Sequence, residues 1–152
     1  MPRGTASQND VSLEGYRQLA EFRYRIRQFL HFSEEAARSS GIEPQQHQLL
    51  LAIKGLPEGV RPTVTALSTR LSLRHHSTVE LINRLVERGA LVRRPSEEDR
   101  REVLVELTPH GERLLRSLAL LHWQELQNFG PALSEALHAI VHNRTEQAVR
   151  SA

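Results

Sequence analysis

Apolar residues recur at intervals of three and four from residue 12 to about 38, at Tyr16, Leu19, Phe22, Ile26, Phe29 and Phe32, and that period predicts one long amphipathic helix. Ser39-Ser40-Gly41 ends it. Glu43-Pro44 opens a second helix, with Pro at the tolerated first position, and Leu49, Leu50 and Ile53 carry it as far as Leu56-Pro57-Glu58-Gly59. Thr63 is placed to cap a short third helix through Leu67 and Leu71; Ala66 stands three residues on, so the reciprocal half of a capping box is missing. After a tight turn at Ser72-Leu73, a fourth helix over about 75–88 shows Val79, Ile82, Leu85 and Val86 on its apolar face and stops at Gly89.

The period then shifts from helical to strand-like. Residues 91–94 and 102–107 read as two short strands, with 95–101 as the hairpin loop between them. Thr108 caps a fifth helix with Pro109 at its first position, and Leu114, Leu115, Leu118, Leu121 and Leu126 carry that helix to Gly130. Pro131 is expected to open a last helix bearing Leu133, Leu137, Ile140 and Val141. Two short helices joined by a tight turn make a helix-turn-helix, here followed by a hairpin. The predicted fold class is therefore mainly α: a winged helix-turn-helix core with a small β-hairpin wing, flanked by helices at both ends.

Those flanking helices are long, strongly apolar on one side and far apart in sequence. A second copy of the chain is the economical cover for them, because a symmetric homodimer interleaves both ends and sets two helix-turn-helix units side by side. The expected organisation is a disordered tail at 1–11 and one domain at 12–152, in which 12–40 and 109–152 are dimerisation helices and 43–108 is the winged helix-turn-helix.

Composition narrows the classes. A chain of 152 residues can bury a core without staples, and the absence of cysteine removes disulfides, thiolate catalysis and thiol redox sensing together. The start, MPRGTASQND, has no apolar segment of the secretory kind, and nowhere do roughly 18 consecutive apolar residues occur. The expectation is a soluble, cytoplasmic protein with no membrane role. A net charge of +2 is too small to argue nucleic-acid binding by itself, so the distribution of charge has to decide. Lys54 is the only lysine, and arginine can fork onto phosphate and guanine, although a GC-rich coding bias accounts for the same preference equally well. Between residues 61 and 113 ten arginines face eight acids, so any electrostatic grip is local to one face.

The run TALSTRLSLRHHSTVELINRLVERGALVRRPSEEDRREVLVELTPHGERL, 65–114, resembles the winged core of the multiple antibiotic resistance regulator (MarR) family of bacterial transcription factors. Its most specific parts are Asp99-Arg100-Arg101 in the wing, Leu107-Thr108-Pro109-His110-Gly111 after it, and the RLVERGALVRR approach to it. The resemblance implies a homodimer that binds a pseudo-palindromic operator in duplex DNA near a promoter, acts most often as a repressor, and is often released by a small ligand.

On that reading the fourth helix is the reading head, with Arg74, His75, His76, Ser77 and Thr78 in its first turn able to donate to phosphates or base edges, and Arg84 and Arg88 reaching the backbone. Arg74 stands where the family often has a capping Ser or Thr, and Glu80 where a basic residue is frequent. Glu80 is expected to pair with Arg84 four residues on. In the wing, Arg94, Arg100 and Arg101 supply charge, and a tip arginine can enter a narrow minor groove. Similarity to the family suggests that Asp99 braces the tip by pairing with an arginine. Arg61, Thr63 and Arg70 flank the third helix as candidates for phosphate contact, with ordinary surface charge the competing account of the arginines.

Family resemblance also places effector pockets where the dimerisation helices border the winged region. There Arg23, Arg27, His31, His47 and Trp123 are candidates to line a site for an anionic or aromatic ligand, against ordinary hydrogen bonding or dimer contact. His138 and His142, four apart on one helix, can point the same way, but two ligands are not a metal site, and no metal or cofactor is expected. No nucleophile elbow, glycine-rich phosphate loop or metalloprotease signature argues for an enzyme. The alternatives are a winged-helix protein-interaction module without operator reading, and a metal-responsive regulator.

Overall fold

The computed structural model describes the backbone of residues 11–150 and the side chains of 11–142. All but one residue of the tail expected at 1–11 lie outside the described residues. The element order is α1 (Leu13–Ser39), α2 (Pro44–Lys54), α3 (Val64–Leu71), α4 (His75–Glu87), β1 (Leu91–Pro95), β2 (Val103–Leu107) and α5 (Pro109–Arg150). The described residues divide into two compact units, one formed by the residues up to 32 with those from 124 onward and the other by 33–123.

In the second, winged unit, local chemistry explains each boundary. The Gln46 side chain accepts the N–H of Glu43 at 3.0 Å, and Pro44 occupies the first helical position of α2, where its missing donor costs nothing. Thr63 Oγ1 accepts the Ala66 N–H at 3.2 Å and caps α3. Ser72 turns the chain with φ 54°, a left-handed conformation that L residues seldom adopt, and α4 begins three residues later. Gly89, at φ 71°, closes α4. The helices α2, α3 and α4 pack on one another, with β2 against α2 and α3 and β1 against α4.

The two strands are antiparallel, in register from Leu91↔Leu107 to Pro95↔Val103. On the far side of β2, the Val105 N–H donates to the Pro62 carbonyl at 2.9 Å, so the α2–α3 connector adds one rung to the hairpin. The core of this unit runs through Leu49, Leu50, Leu67, Ile82, Leu85, Val105 and Leu118, all of them 0% exposed.

The Leu-Thr-x-x-Gly motif forms the junction into α5. Thr108 Oγ1 accepts the Gly111 N–H at 3.1 Å and donates to the Gly89 carbonyl, while the Thr108 N–H donates to the Ala90 carbonyl at 3.0 Å. A Cβ on Gly111 would stand 2.1 Å from the Ala90 oxygen, so only glycine lets the helix start lie this close to the end of α4.

The break expected at Gly130-Pro131 does not occur: α5 continues through Pro131 as one helix of 42 residues. A proline removes one N–H and crowds the preceding turn, but apolar residues at helical spacing continue on both sides of it, and here that period outweighs the single missing hydrogen bond. The other unit therefore consists, among the described residues, of α1 up to residue 32 and α5 from residue 124 onward.

Candidate nucleic-acid interface

The DNA-binding residues expected from the sequence all lie in the winged unit, but they divide into free and committed groups. On α4, Arg74 caps the helix backbone without a side-chain cap bond, and Arg74, His75, His76 and Arg84 are exposed. None of the four side chains has an ion pair or hydrogen bond among the described residues, and Ser77 is half-buried. With no capping side chain, the first N–H groups of α4 stay open to an outside acceptor such as phosphate. The expected Glu80–Arg84 ion pair does not form; both side chains are exposed and apart.

Thr78 is a correction to the reading head. Its exposure is 0%, and its hydroxyl donates to the Arg74 carbonyl at 3.2 Å and accepts from Ser68 at 2.9 Å. Buried polar groups need such partners, so Thr78 joins α3 to α4 inside the helix-turn-helix and does not face a ligand.

In the wing, Arg100 and Arg101 are exposed at the tip and have no side-chain partner among the described residues. Asp99 braces the tip, although not through an arginine side chain: its Oδ1 accepts the Arg101 backbone N–H at 2.9 Å. A short carboxylate two residues before a turn amide favours this local bond over a reach to a long side chain. Arg94 is committed to Glu106 at 2.9 Å on the neighbouring strand, and Arg93 donates to Asn83 on α4.

The flanking candidates also separate. Arg70 is exposed and unpaired among the described residues, while the Thr63 hydroxyl is taken up by its cap. Arg61, expected as a phosphate contact, turns inward to the wing: its Nη1 lies 2.7 Å from Glu102 Oε2, 3.1 Å from Glu98 Oε2 and 3.3 Å from Ser96 Oγ. Glu98, Glu102 and Ser96 were missed because partners 35 or more residues away carry no periodic signal.

The ligand-pocket candidates are split between units. Arg23, Arg27 and His31 are exposed on α1 in the helical unit. In the winged unit, Trp123 is 68% exposed, whereas His47 is 4% exposed and sits against His122, ring centroids 4.8 Å apart. Burial, with the His122 ring beside it, lowers the His47 pKa from 6.5 to about 4 and keeps the imidazole neutral. His122 itself bridges the Leu118 carbonyl at 2.7 Å and Ser33 Oγ at 2.8 Å. His47 is thus a core residue of this unit.

A cavity of about 430 Å³ lies elsewhere in the winged unit, lined by Leu51, Leu115 and Ala119 beside Lys54, Glu112, Arg113 and Arg116. Lys54 Nζ pairs with Glu112 at 2.7 Å. His138 and His142 stack with centroids 3.6 Å apart, and among the described residues no three His, Asp or Glu side chains are grouped to hold a metal ion. No helix among the described residues is long and apolar enough to cross a membrane.

Comparison with known proteins agrees with this fold. A putative transcriptional regulatory protein for the hcr operon of Thauera aromatica is 29% identical over 114 residues, which are 75% of this chain and 67% of that one. AbsC, a MarR family transcriptional regulator from Streptomyces coelicolor, superposes with a TM-score of 0.70 at 19% identity, covering 95% of this chain and 99% of AbsC. A cysteine-to-serine variant of MarR from E. coli, complexed with operator DNA, gives 0.63 at 20% identity over 91% of this chain and 98% of that one. Residues 40–102, from just before α2 through β1 and the hairpin loop, match the model of the MarR family, and over this span the chain is similar to that family.

Proposed function

We propose that this chain is a sequence-specific transcription regulator that binds duplex DNA as a homodimer. The carrying observation is the unpaired arginine and histidine on two adjoining features of one unit: Arg74, His75, His76 and Arg84 on α4, and Arg100 and Arg101 at the wing tip. A helix that presents donors at its N-terminal turn suits the major groove, and a basic hairpin tip suits the minor groove beside it. Arg70 supplies a backbone contact. The role requires no catalysis, and we place it in the cytoplasm with the DNA it reads.

The exposed apolar stripes of α1 and α5 are assigned to the second copy, which sets two reading helices about 34 Å apart on a pseudo-palindromic operator. The regulator is a repressor released by a small anionic or aromatic effector. The winged-unit cavity, with an apolar floor and Arg113 and Arg116 at its edge, has the size and chemistry for such a ligand. An effector that releases the operator must itself be weakened by operator to the same factor.

The test is a fluorescence anisotropy titration of duplex DNA from the gene's own upstream region, at two salt concentrations and against an unrelated competitor. Specific binding should survive competition and weaken steeply with salt. Arg101→Ala should lower affinity and reduce the salt slope by about one counterion for each phosphate contact removed. An Arg101→Ala protein with wild-type affinity and slope would remove the wing from the interface.

A further inference from the structure

We propose that Arg61 is a positioning residue of the wing: it latches both shoulders of the hairpin loop to the α2–α3 connector, so that Arg100 and Arg101 are held at a fixed height beside α4. The inference rests on the DNA-reading role proposed above and assigns Arg61 a task within it that involves no contact with DNA.

Three observations meet at this side chain. The first is charge. Glu98 and Glu102, which bracket the tip residues, both present Oε2 to Arg61 Nη1, at 3.1 and 2.7 Å. Glu102 Oε2 is shut off from solvent and has no hydrogen-bond partner, so the guanidinium is the cation that offsets its burial. The second is the loop backbone. Ser96 is 4% exposed, lies 3.3 Å from Arg61 Nη1, and its hydroxyl accepts the N–H groups of Glu98 at 3.3 Å and Asp99 at 3.4 Å. Arg61 therefore touches the group that organises the turn. The third is the anchor: the next residue, Pro62, accepts the Val105 N–H, which ties the connector to β2 and leaves Arg61 little freedom to leave the wing.

Arginine suits this task because Nη1 of its charged guanidinium faces all three acceptors at once. A phosphate would have to displace two carboxylates already in place. The tip arginines lie between Glu98 and Glu102 in the chain, so releasing either shoulder frees the segment that carries them. Only the geometry of presentation should suffer.

The opposing account, in which Arg61 grips phosphate, makes the opposite prediction for one variant. On the latch, Glu102→Gln and Arg61→Ala each weaken binding of a duplex that the wild type binds, by about tenfold, the size of one groove contact, and the double variant is no worse than either single. Hydroxyl-radical protection should disappear in the minor groove under the wing, while methylation protection of major-groove guanines remains. If Arg61 contacts DNA, Glu102→Gln frees it and tightens binding, and Arg61→Ala lowers the salt slope by about one; that result overturns the proposal. Loss of both kinds of protection together would also overturn it, as general unfolding.

A readout without DNA separates this inference from the reading it rests on. In the free protein, Arg61→Ala and Glu102→Gln should speed hydrogen exchange at the Glu98, Arg101 and Glu102 amides and leave α4 unchanged. Unchanged loop exchange refutes the latch, whatever binds. Faster loop exchange in a protein that binds no duplex supports the latch and refutes the operator reading.

Discussion

Leucines at the same helical spacing meet two different environments in this chain. In the winged unit, Leu49, Leu50, Leu67, Leu85 and Leu118 are wholly buried. In the helical unit, Leu13 is 66% exposed and Leu19, Leu30 and Leu137 are each 47% exposed, and Ala136 is the buried apolar residue there among those described. Periodicity is strong in both units, so it reports which face of a helix is apolar and not what covers that face. The winged unit supplies its own cover from α2, α3, α4 and the hairpin. The helical unit displays its stripe, as a surface meant for another surface does.

The contrast breaks most directly at Leu85. Truncating this fully buried side chain with Leu85→Ala should cost about 2–5 kcal/mol, through the transfer energy of the removed atoms and the cavity left behind. The drop in urea midpoint relative to the wild type should be the same at every protein concentration, because Leu85 packs against residues of its own chain. A midpoint shift that vanishes on concentrating the protein would mean that the winged core is completed by a partner.

The buried His47 sharpens the contrast with a pH axis. Its pKa in the folded chain, about 4, lies below the 6.5 of an exposed imidazole, so the folded state favours the neutral ring and the unfolded chain takes up the proton first. That contribution to stability is complete above about pH 6.5 and shrinks as the pH falls towards 4. Wild-type urea midpoints should therefore decline across this window, and His47→Gln should flatten the decline even though it lowers the midpoint at pH 8. Equal slopes for the two proteins would show that the ring is not held neutral by the fold.

Much of the winged unit is legible in the sequence because its signals are local. Thr63 before a short apolar run, Pro44 at a helix start, Gly89 after one and the change of period at residue 91 each act within four residues, and each marks an element boundary. What escaped is either long-range or hidden by residue type. Thr78 lies four residues before Ile82 and three before Leu81, so the helical period itself turns it inward; its hydroxyl suggested a surface role. His47 shares the buried face of α2 with Gln46 and Leu50 in the same way. Arg61 is an unremarkable connector residue until the hairpin folds back over it, and no spacing encodes that return. Pro131 misled in the opposite sense, since a strong local signal yielded to the period of the whole helix.

The smallest intrinsic effect should come from the exposed stripe, and it is the most informative about the two units. Leu137→Ser replaces a side chain that is 47% exposed in the single chain, so in the dilute limit the change in unfolding free energy should stay within about 0.5 kcal/mol. If the stripe of α5 is covered by a second copy, wild-type thermal stability must rise with protein concentration, because association draws the folded state forward by mass action. Leu137→Ser should weaken that rise while leaving the dilute value in place, with sedimentation equilibrium showing a shift towards the single-chain mass. Leu85→Ala, by contrast, should displace the whole curve and keep its slope. A wild type whose melting temperature is the same from micromolar to hundreds of micromolar, and whose mass is that of one chain throughout, would leave the exposed leucines without the partner assigned to them and would require the two apolar helices to be covered from within.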